Sequence, residues 1–139
     1  MDLITLDFET FYDKDYSLRK MTTEAYVRDP RFEVIGVAVR VNNGETEWAS
    51  GTHEQIKKYL KTFDWGKAML LCHNTMFDGA ILNWRFDIRP RMYTDTLCIA
   101  RALHGTEARA NLGALSERYD IGVKGTEVLD ALGKRRGDF

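Results

Sequence analysis

The chain has 139 residues, of which 44% are hydrophobic, 29% are charged and 12% are aromatic, and its formal net charge is −1. This composition excludes collagen-like, disulfide-rich and intrinsically disordered chains, and no apolar run approaches the roughly 20 residues that a membrane-spanning helix needs. The length predicts a single domain, and the N-terminus carries no basic signal-peptide segment. Cys72 and Cys98 lie in apolar stretches without a Cys-x-x-Cys pattern, which predicts two buried thiols in a reducing cytoplasm.

The first half of the chain predicts three strands. Residues 3–6 are apolar and β-branched and indicate a buried strand that ends in an acidic segment. Residues 11–31 predict a loop or a short helix. Residues 33–41 alternate and are rich in Val and Ile, and the turn signal Asn42-Asn43-Gly44 then predicts a hairpin with residues 45–49.

The second half predicts helices alternating with strands. Thr52 and Gln55 match a capping box at the start of a helix. In chain order, the further predicted elements are a strand at 68–72 covered on both faces, a helix at 77–86, an extended piece at 93–94, a helix capped by Asp95 and a helix at 112–119 that ends at Gly122. The whole pattern predicts an α/β domain with a mixed sheet and the first strand at its centre.

Two carboxylates follow the first apolar run. Asp7 and Glu9 stand two residues apart, so on a strand both side chains leave the same face, with Cα atoms about 6.6 Å apart. That separation can flank a pair of Mg²⁺ ions about 3.5–4 Å apart. The alternative interpretation is that the two acids only terminate a strand.

A third carboxylate follows the second buried strand. Asp78 could serve only as part of a helix start. However, two strand ends of one sheet that both present acids would assemble an oxygen-rich site for a hard cation. The combination therefore favours a metal site formed by Asp7, Glu9 and Asp78.

Residues 6–10 (Leu-Asp-Phe-Glu-Thr) and 73–82 (His-Asn-Thr-Met-Phe-Asp-Gly-Ala-Ile-Leu) resemble the first two motifs of the DEDD 3′→5′ exonucleases. The resemblance is to the proofreading domains of bacteriophage family A DNA polymerases, and residues 93–97, 111–115 and 123–125 are similar to segments that follow there. This resemblance implies a ribonuclease H-like fold and a role in phage DNA replication in the host cytoplasm.

The resemblance also implies roles for individual residues. Asp7, Glu9 and Asp78 would be the catalytic, metal-binding carboxylates for two Mg²⁺ or Mn²⁺ ions. The implied substrate is the 3′ end of single-stranded DNA. Thr10, Asn74 and Phe77 would lie beside its terminal nucleotide, where an aromatic ring can stack on a base. The alternative for Phe77 is a core residue.

The third motif of the family, Tyr-x-x-x-Asp or His-x-x-x-x-Asp on a late helix, is not matched. No Tyr has Asp four residues later, and His73 with Asp78 only repeats the second motif. We therefore expect a domain over residues 1–139 that is incomplete at its C-terminus. It is either a fragment of a larger polymerase or exonuclease, or a short protein whose missing helix is replaced by self-association or by a partner subunit. Substitution by Asp95, Asp130 or Asp138 is a weaker alternative, and a non-catalytic nucleic-acid- or protein-binding module is the alternative function.

Basic residues are concentrated in the C-terminal part of the chain. Residues 84–139 hold 10 basic and 8 acidic side chains, whereas residues 1–83 hold 10 and 13. This asymmetry permits a nucleic-acid partner without predicting one. The group Arg85, Arg89 and Arg91 and the run 134–136 are candidates for phosphate contacts, with a solvated surface as the alternative.

Overall fold

The computed structural model describes residues 1–122, 124 and 131–138. Its strands are β1 (Asp2–Thr10), β2 (Val34–Val41), β3 (Glu47–Ser50), β4 (Ala68–Cys72) and β5 (Met92–Asp95). Its α-helices are α1 (Thr23–Arg28), α2 (His53–Leu60), α3 (Thr75–Phe86), α4 (Thr96–His104) and α5 (Leu112–Tyr119). Short 3₁₀ turns occupy Trp65–Lys67 and Arg136–Asp138. The predicted order of elements is confirmed, with α1 as the short helix of the first long connection.

The five strands form one mixed sheet in the order β3-β2-β1-β4-β5. Strand β1 is central, antiparallel to β2 and parallel to β4, and β4 is parallel to β5. The α/β prediction with a central first strand is therefore confirmed. Because β1, β4 and β5 run in the same direction, their carboxyl ends meet at one edge of the sheet, which we call the carboxyl edge.

One face of the sheet carries the core. Alternate residues of β1 (Ile4, Leu6 and Phe8) are buried in one cluster with residues of α1, α2 and α3. The ring of Phe8 stacks on Phe86 of α3 with centroids 5.6 Å apart. This packing fixes α3 against β1 and so fixes where the start of α3 lies relative to the carboxyl edge.

The other face of the sheet is less covered than the sequence predicts. Met69 and Leu71 of β4 are only half-buried, and Met92, paired with Met69, is 46% exposed. The prediction that β4 is covered on both faces is therefore wrong. The physical reason is that Ala100 is the only buried residue in α4 and that α5 has none, so these helices give the second face little cover.

Strand β1 is longer than its apolar run. It pairs with β2 as far as Thr10, opposite Val34, with an irregularity between Glu9 and Thr10. Asp7 and Glu9 therefore lie inside the end of the strand and not beyond it, which corrects the predicted boundary. Backbone pairing with β2 extends the strand through residues whose side chains alone indicate a loop.

Two local predictions had different outcomes. The capping box at α2 is confirmed, because Thr52 accepts from the Gln55 amide and the Gln55 side chain accepts from the Thr52 amide. The prediction of two buried thiols is wrong for one of them, since Cys72 is buried and Cys98 is exposed. Among the described residues no helix is both long and apolar enough to cross a membrane.

Gly36 of β2 leaves space for the ring of Trp48 on the neighbouring strand. A Cβ at this position would overlap that ring and come within 2.9 Å of the Ala49 carbonyl oxygen. We expect Gly36→Ala to lower the free energy of unfolding by about 1–3 kcal/mol, which urea denaturation measures. Gly66→Ala is the control, because a Cβ there meets only an ordinary contact at 3.6 Å. Equal stability of the two variants would contradict the packing at Gly36.

Candidate metal and catalytic site

The buried carboxylate of Asp78 meets the main chain of β1 between the two strand acids. Asp78 lies in the first turn of α3 and is 3% exposed. Its Oδ1 accepts a hydrogen bond of 3.0 Å from the backbone N–H of Phe8, the residue between Asp7 and Glu9. The structure thus brings the three predicted acids to one place at the carboxyl edge of the sheet.

The side chains of the end of β1 alternate as the sequence predicts. Phe8 is buried in the core, whereas Asp7 is exposed and Glu9 is half-buried. Asp7 and Glu9 therefore leave the strand on the face opposite Phe8. Across the described ranges, however, no three His, Cys, Asp or Glu side chains are arranged as a group that could hold a metal ion. The acids are neighbours whose side chains do not form a closed ligand set.

The electrostatics of this place disfavour carboxylate charge. Burial, with a smaller contribution from the negative charges of Asp7 and Glu9, raises the pKa of Asp78 to about 8, although the Phe8 N–H acts in the opposite direction. Burial by the surrounding atoms also raises the pKa of Asp7, although part of its side chain is exposed. The positive charge of Lys124 partly offsets this increase in the pKa. The negative charges of these carboxylates repel one another, and a divalent cation bound between them would remove that repulsion. Carboxylate oxygens are also the ligands that Mg²⁺ and Mn²⁺ prefer, so the residues present fit such an ion.

The raised pKa of Asp78 predicts a pH-dependent stability. Since the folded protein holds the Asp78 proton up to about pH 8 and the unfolded chain releases it near pH 4, folding stability falls as pH rises through this window. In EDTA, we expect the free energy of unfolding of wild type to fall relative to that of Asp78→Asn as the pH rises. The slope should reach up to about 1.4 kcal/mol per pH unit. Denaturant unfolding from pH 4 to 9 measures this difference, and a difference that does not change with pH would refute it.

Two of the predicted nucleotide contacts lie in an aromatic cluster. The Thr10 hydroxyl is 2.8 Å from the Tyr26 hydroxyl, which itself donates to the Phe11 carbonyl at 2.6 Å. Phe77 is half-buried and its ring centroid is 5.9 Å from that of Tyr26. Thr10 and Phe77 therefore border one buried tyrosine, and Phe77 packs against the core from the carboxyl edge.

Asn74, the third predicted nucleotide contact, precedes α3 in a left-handed conformation with φ of 70°. The Asp95 carboxylate holds this turn, because it accepts from the amides of Asn74 at 2.9 Å and Thr75 at 3.0 Å. It also accepts from Leu97 at 2.8 Å, which confirms the predicted cap of α4. The sequence did not predict the contact of Asp95 with the start of α3, because the amides of Asn74 and Thr75 are 21 and 20 residues away from Asp95 along the chain.

Of the three acids considered as substitutes, the two that the structure describes have other partners. Asp95 is engaged by the three backbone amides described above, which also lower its pKa despite its partial burial. Asp138 accepts from the Arg135 amide at 2.8 Å in the last turn of the described chain. Asp130, like the resemblance residues Val123 and Gly125, lies outside the described residues.

His73 has a structural role at the end of β4. Its Nδ1 lies 2.8 Å from the Thr96 hydroxyl, and its Nε2 lies 2.8 Å from the Ala110 carbonyl oxygen. The ring therefore connects β4 to both the start of α4 and the segment before α5. This geometry agrees with the interpretation of His73 as a hydrogen-bonded histidine at a strand end.

Several basic side chains named from the sequence have partners within the protein. Arg135 pairs with Glu33 at 2.7 Å, and Arg136 donates to the Val34 carbonyl at 2.9 Å. Arg89 pairs with Asp87 at 2.9 Å. The run at 134–136 thus attaches the end of the described chain to the start of β2.

Comparison with known proteins gives matches of structure alone, since neither a protein-family model nor a curated protein matches the sequence. NrnC of Brucella melitensis bound to pGG is similar with a TM-score of 0.64 at 15% identity, over 98% of this chain and 65% of that one. Another NrnC structure, with a TM-score of 0.61 at 16% identity and the same coverage, contains Mg²⁺.

Two further structures show the same fold. Trypanosoma brucei RNase D in complex with RNA U12 has a TM-score of 0.64 at 15% identity, over 96% of this chain and 45% of that one. The family B DNA polymerase of the archaeon Pyrobaculum calidifontis has a TM-score of 0.58 at 14% identity, over 88% of this chain and 19% of that one.

NrnC, RNase D and the exonuclease domain of the family B polymerase are DEDD-type exonucleases, and none of these three proteins is a phage family A polymerase. The chain spans 55–65% of the length of the NrnC chains that it matches. The mixed five-stranded sheet with flanking helices therefore has the ribonuclease H-like fold of these exonucleases.

Proposed function

We propose that the chain is a metal-dependent 3′→5′ exonuclease that removes mononucleotides from the 3′ ends of single-stranded DNA. The observation that carries the proposal is the hydrogen bond from Phe8 N–H to the buried Asp78 carboxylate, which brings Asp7, Glu9 and Asp78 together. The fold similarity to DEDD-type exonucleases and the Mg²⁺ in one NrnC structure support it.

In this proposal the chain's own groups position the reacting phosphodiester. Asp7 and Glu9 would supply carboxylate oxygens from one face of β1, and Asp78 would supply one from α3, held in place by the Phe8 amide. When bound, two divalent ions supply charge stabilisation and an activated water at the scissile phosphate. Asp95 fixes the start of α3, so that Asn74 is held beside the place where the strand end would bind.

The substrate and the setting follow from the sequence resemblance. We infer a single-stranded DNA end as substrate and a proofreading role in phage replication in the host cytoplasm. Two of the neighbours, however, hold pGG and RNA U12 respectively. An RNA strand therefore belongs in any test of the substrate.

A non-catalytic nucleic-acid-binding module is the second candidate. The observation that favours it is that no metal-holding group of three acids, histidines or cysteines exists within the described parts of the chain. The sequence also lacks a match to the third family motif. If a second copy of the chain completes the site, cleavage will rise with protein concentration more steeply than in direct proportion.

Cleavage of end-labelled strands tests the proposed function. With Mn²⁺, we expect a 5′-labelled single strand to give a ladder that shortens from its 3′ end, and a 3′-labelled strand to release labelled mononucleotide first. EDTA and the Asp78→Asn variant should each abolish both products. A parallel RNA strand decides between the two nucleic acids. Uncut strands at all protein concentrations, with binding retained, would favour the non-catalytic module.

A further inference from the structure

Two adjoining cavities lie along α4 and α5, beside the carboxyl edge of the sheet. One of about 430 Å³ is lined by His73, Arg101, Arg109 and Asn111, among others. The other, of about 650 Å³, shares Arg109 and Asn111 and continues to Arg118 and Lys124. The two cavities adjoin at Arg109 and Asn111, and we call the surface that they make together the α4–α5 groove.

The charge of the α4–α5 groove is strongly positive for a protein of net charge −1. Its lining includes four cations (Arg101, Arg109, Arg118 and Lys124) and a single carboxylate, Glu117. All four cations are exposed, and none forms an ion pair with any carboxylate in the described ranges. By contrast, Arg28, Arg31, Arg89 and Arg135 elsewhere are each paired with an acid.

The groove begins next to the candidate site. Thr5 of β1 pairs with Leu71 of β4, and Asp7 near the end of β1 and His73 directly after β4 are each two residues further along, at the same edge of the sheet. Adjacent strands are about 4.8 Å apart. Lys124, at the other cavity, is also close enough for its charge to act on Asp7. A chain bound along the groove would therefore pass the carboxylates.

The helices that form the groove are held in place by polar contacts. His73 connects β4 to Thr96 and Ala110, and the His104 ring of α4 is hydrogen-bonded to the Tyr119 hydroxyl of α5. Asn111 is occupied as the cap of α5, because it accepts from the Ala114 amide at 2.8 Å. The groove thus presents cations on a fixed frame, and among the described residues neither cavity is lined by a Phe, Tyr or Trp ring on which a base could stack.

We propose that the α4–α5 groove binds the phosphodiester backbone of a single-stranded nucleic acid and guides it to Asp7, Glu9 and Asp78. This inference rests on the proposed function, since it names how the substrate of that site is held. Guanidinium and ammonium groups that form no ion pair within the protein are suited to phosphate oxygens. A groove that contacts only the backbone should accept DNA and RNA strands equally well and show little sequence preference.

The test uses fluorescence anisotropy of a labelled 12-nucleotide oligo-dT strand and a matched oligo-U strand in EDTA, where no cleavage occurs. We expect the double variant Arg109→Ala/Lys124→Ala to bind both strands about 20-fold more weakly at 0.1 M salt. The slope of log K against log salt should fall by about 1.4, since each single-strand phosphate contact contributes about 0.7.

The matched control is Lys58→Ala/Lys67→Ala, which removes the same charge from exposed positions on α2 and before β4. It should bind with wild-type affinity and slope. Equal weakening of both double variants, or a groove variant that binds like wild type, would overturn the proposal. So would a more than tenfold preference for oligo-dT or oligo-U, or heparin competing as well as a strand of equal charge.

Binding and cleavage separate this proposal from the exonuclease itself. If wild type binds strands, the groove variant binds them weakly and neither protein cleaves, the groove is supported and the exonuclease is refuted. If wild type cleaves and the groove variant shows unchanged KM and affinity, the groove is refuted and the exonuclease is supported. Circular dichroism of both variants verifies that the fold is intact.

Discussion

Replacing Asp7 by asparagine is expected to lower 3′→5′ cleavage by about 100- to 1,000-fold while leaving the fold intact. The loss follows because the amide keeps the shape of the carboxylate but removes its charge, which the divalent cations of the proposed mechanism require. The fold should survive because Asp7 is exposed and points away from the core that Phe8 enters. Rates of mononucleotide release in Mn²⁺ measure the loss, and thermal unfolding measures the stability.

The matched control for Asp7 is Asp64→Asn. Asp64 is exposed, precedes β4 at the opposite edge of the sheet, and makes no side-chain cap hydrogen bond. Its variant should cleave like wild type. An Asp7→Asn protein that keeps more than about one tenth of the wild-type rate would show that Asp7 is not a metal ligand.

Replacing Asp95 by alanine is expected to produce the largest loss of stability among single changes at the carboxyl edge. The carboxylate accepts from the amides of Asn74, Thr75 and Leu97, and alanine would leave all three without this acceptor. Loss of a helix cap together with unsatisfied, partly buried amides should lower the free energy of unfolding by about 2–4 kcal/mol. Thermal unfolding should then show a Tm lower by about 8–15 °C.

The contribution of Asp95 also has a defined pH dependence. Hydrogen bonds from these amides lower the pKa of Asp95 in the folded protein. Its contribution is therefore present above about pH 4 and is lost as pH falls through the folded pKa. Asp64→Ala serves as the control, because Asp64 is exposed and makes no side-chain cap hydrogen bond. If both variants unfold at the same temperature, Asp95 does not hold the start of α3.

Most of the secondary-structure elements could be predicted from local patterns in the sequence. The capping box at Thr52, the Asp95 cap and the position of α5 depend on neighbours within a few residues, and all three are confirmed. The length of β1 was not predictable in this way, because its last residues are extended through pairing with β2. Coverage of the second sheet face depends on how α4 and α5 pack, and local periodicity does not report this.

At the candidate site, too, features set by neighbouring residues could be predicted, whereas contacts between distant residues could not. The shared face of Asp7 and Glu9 follows from strand alternation and is seen in the structure. The contact of Asp78 with Phe8 joins residues 70 positions apart, so that spacing alone could not provide it. The α4–α5 groove was missed because its four cations, although all lie within residues 101–124, follow no single helix or strand spacing, and only the folded positions of α4 and α5 bring them to one surface.

Calorimetric titration of Mn²⁺ into the metal-free chain tests the central claim most directly, namely that Asp7, Glu9 and Asp78 form a divalent-metal site. Wild type should bind Mn²⁺ more tightly at pH 8 than at pH 6, because protons compete for Asp78. Asp7→Asn and Asp78→Asn should each weaken binding at least tenfold, whereas Asp64→Asn should bind like wild type. Binding of Mn²⁺ with equal affinity by wild type and both site variants would contradict the claim.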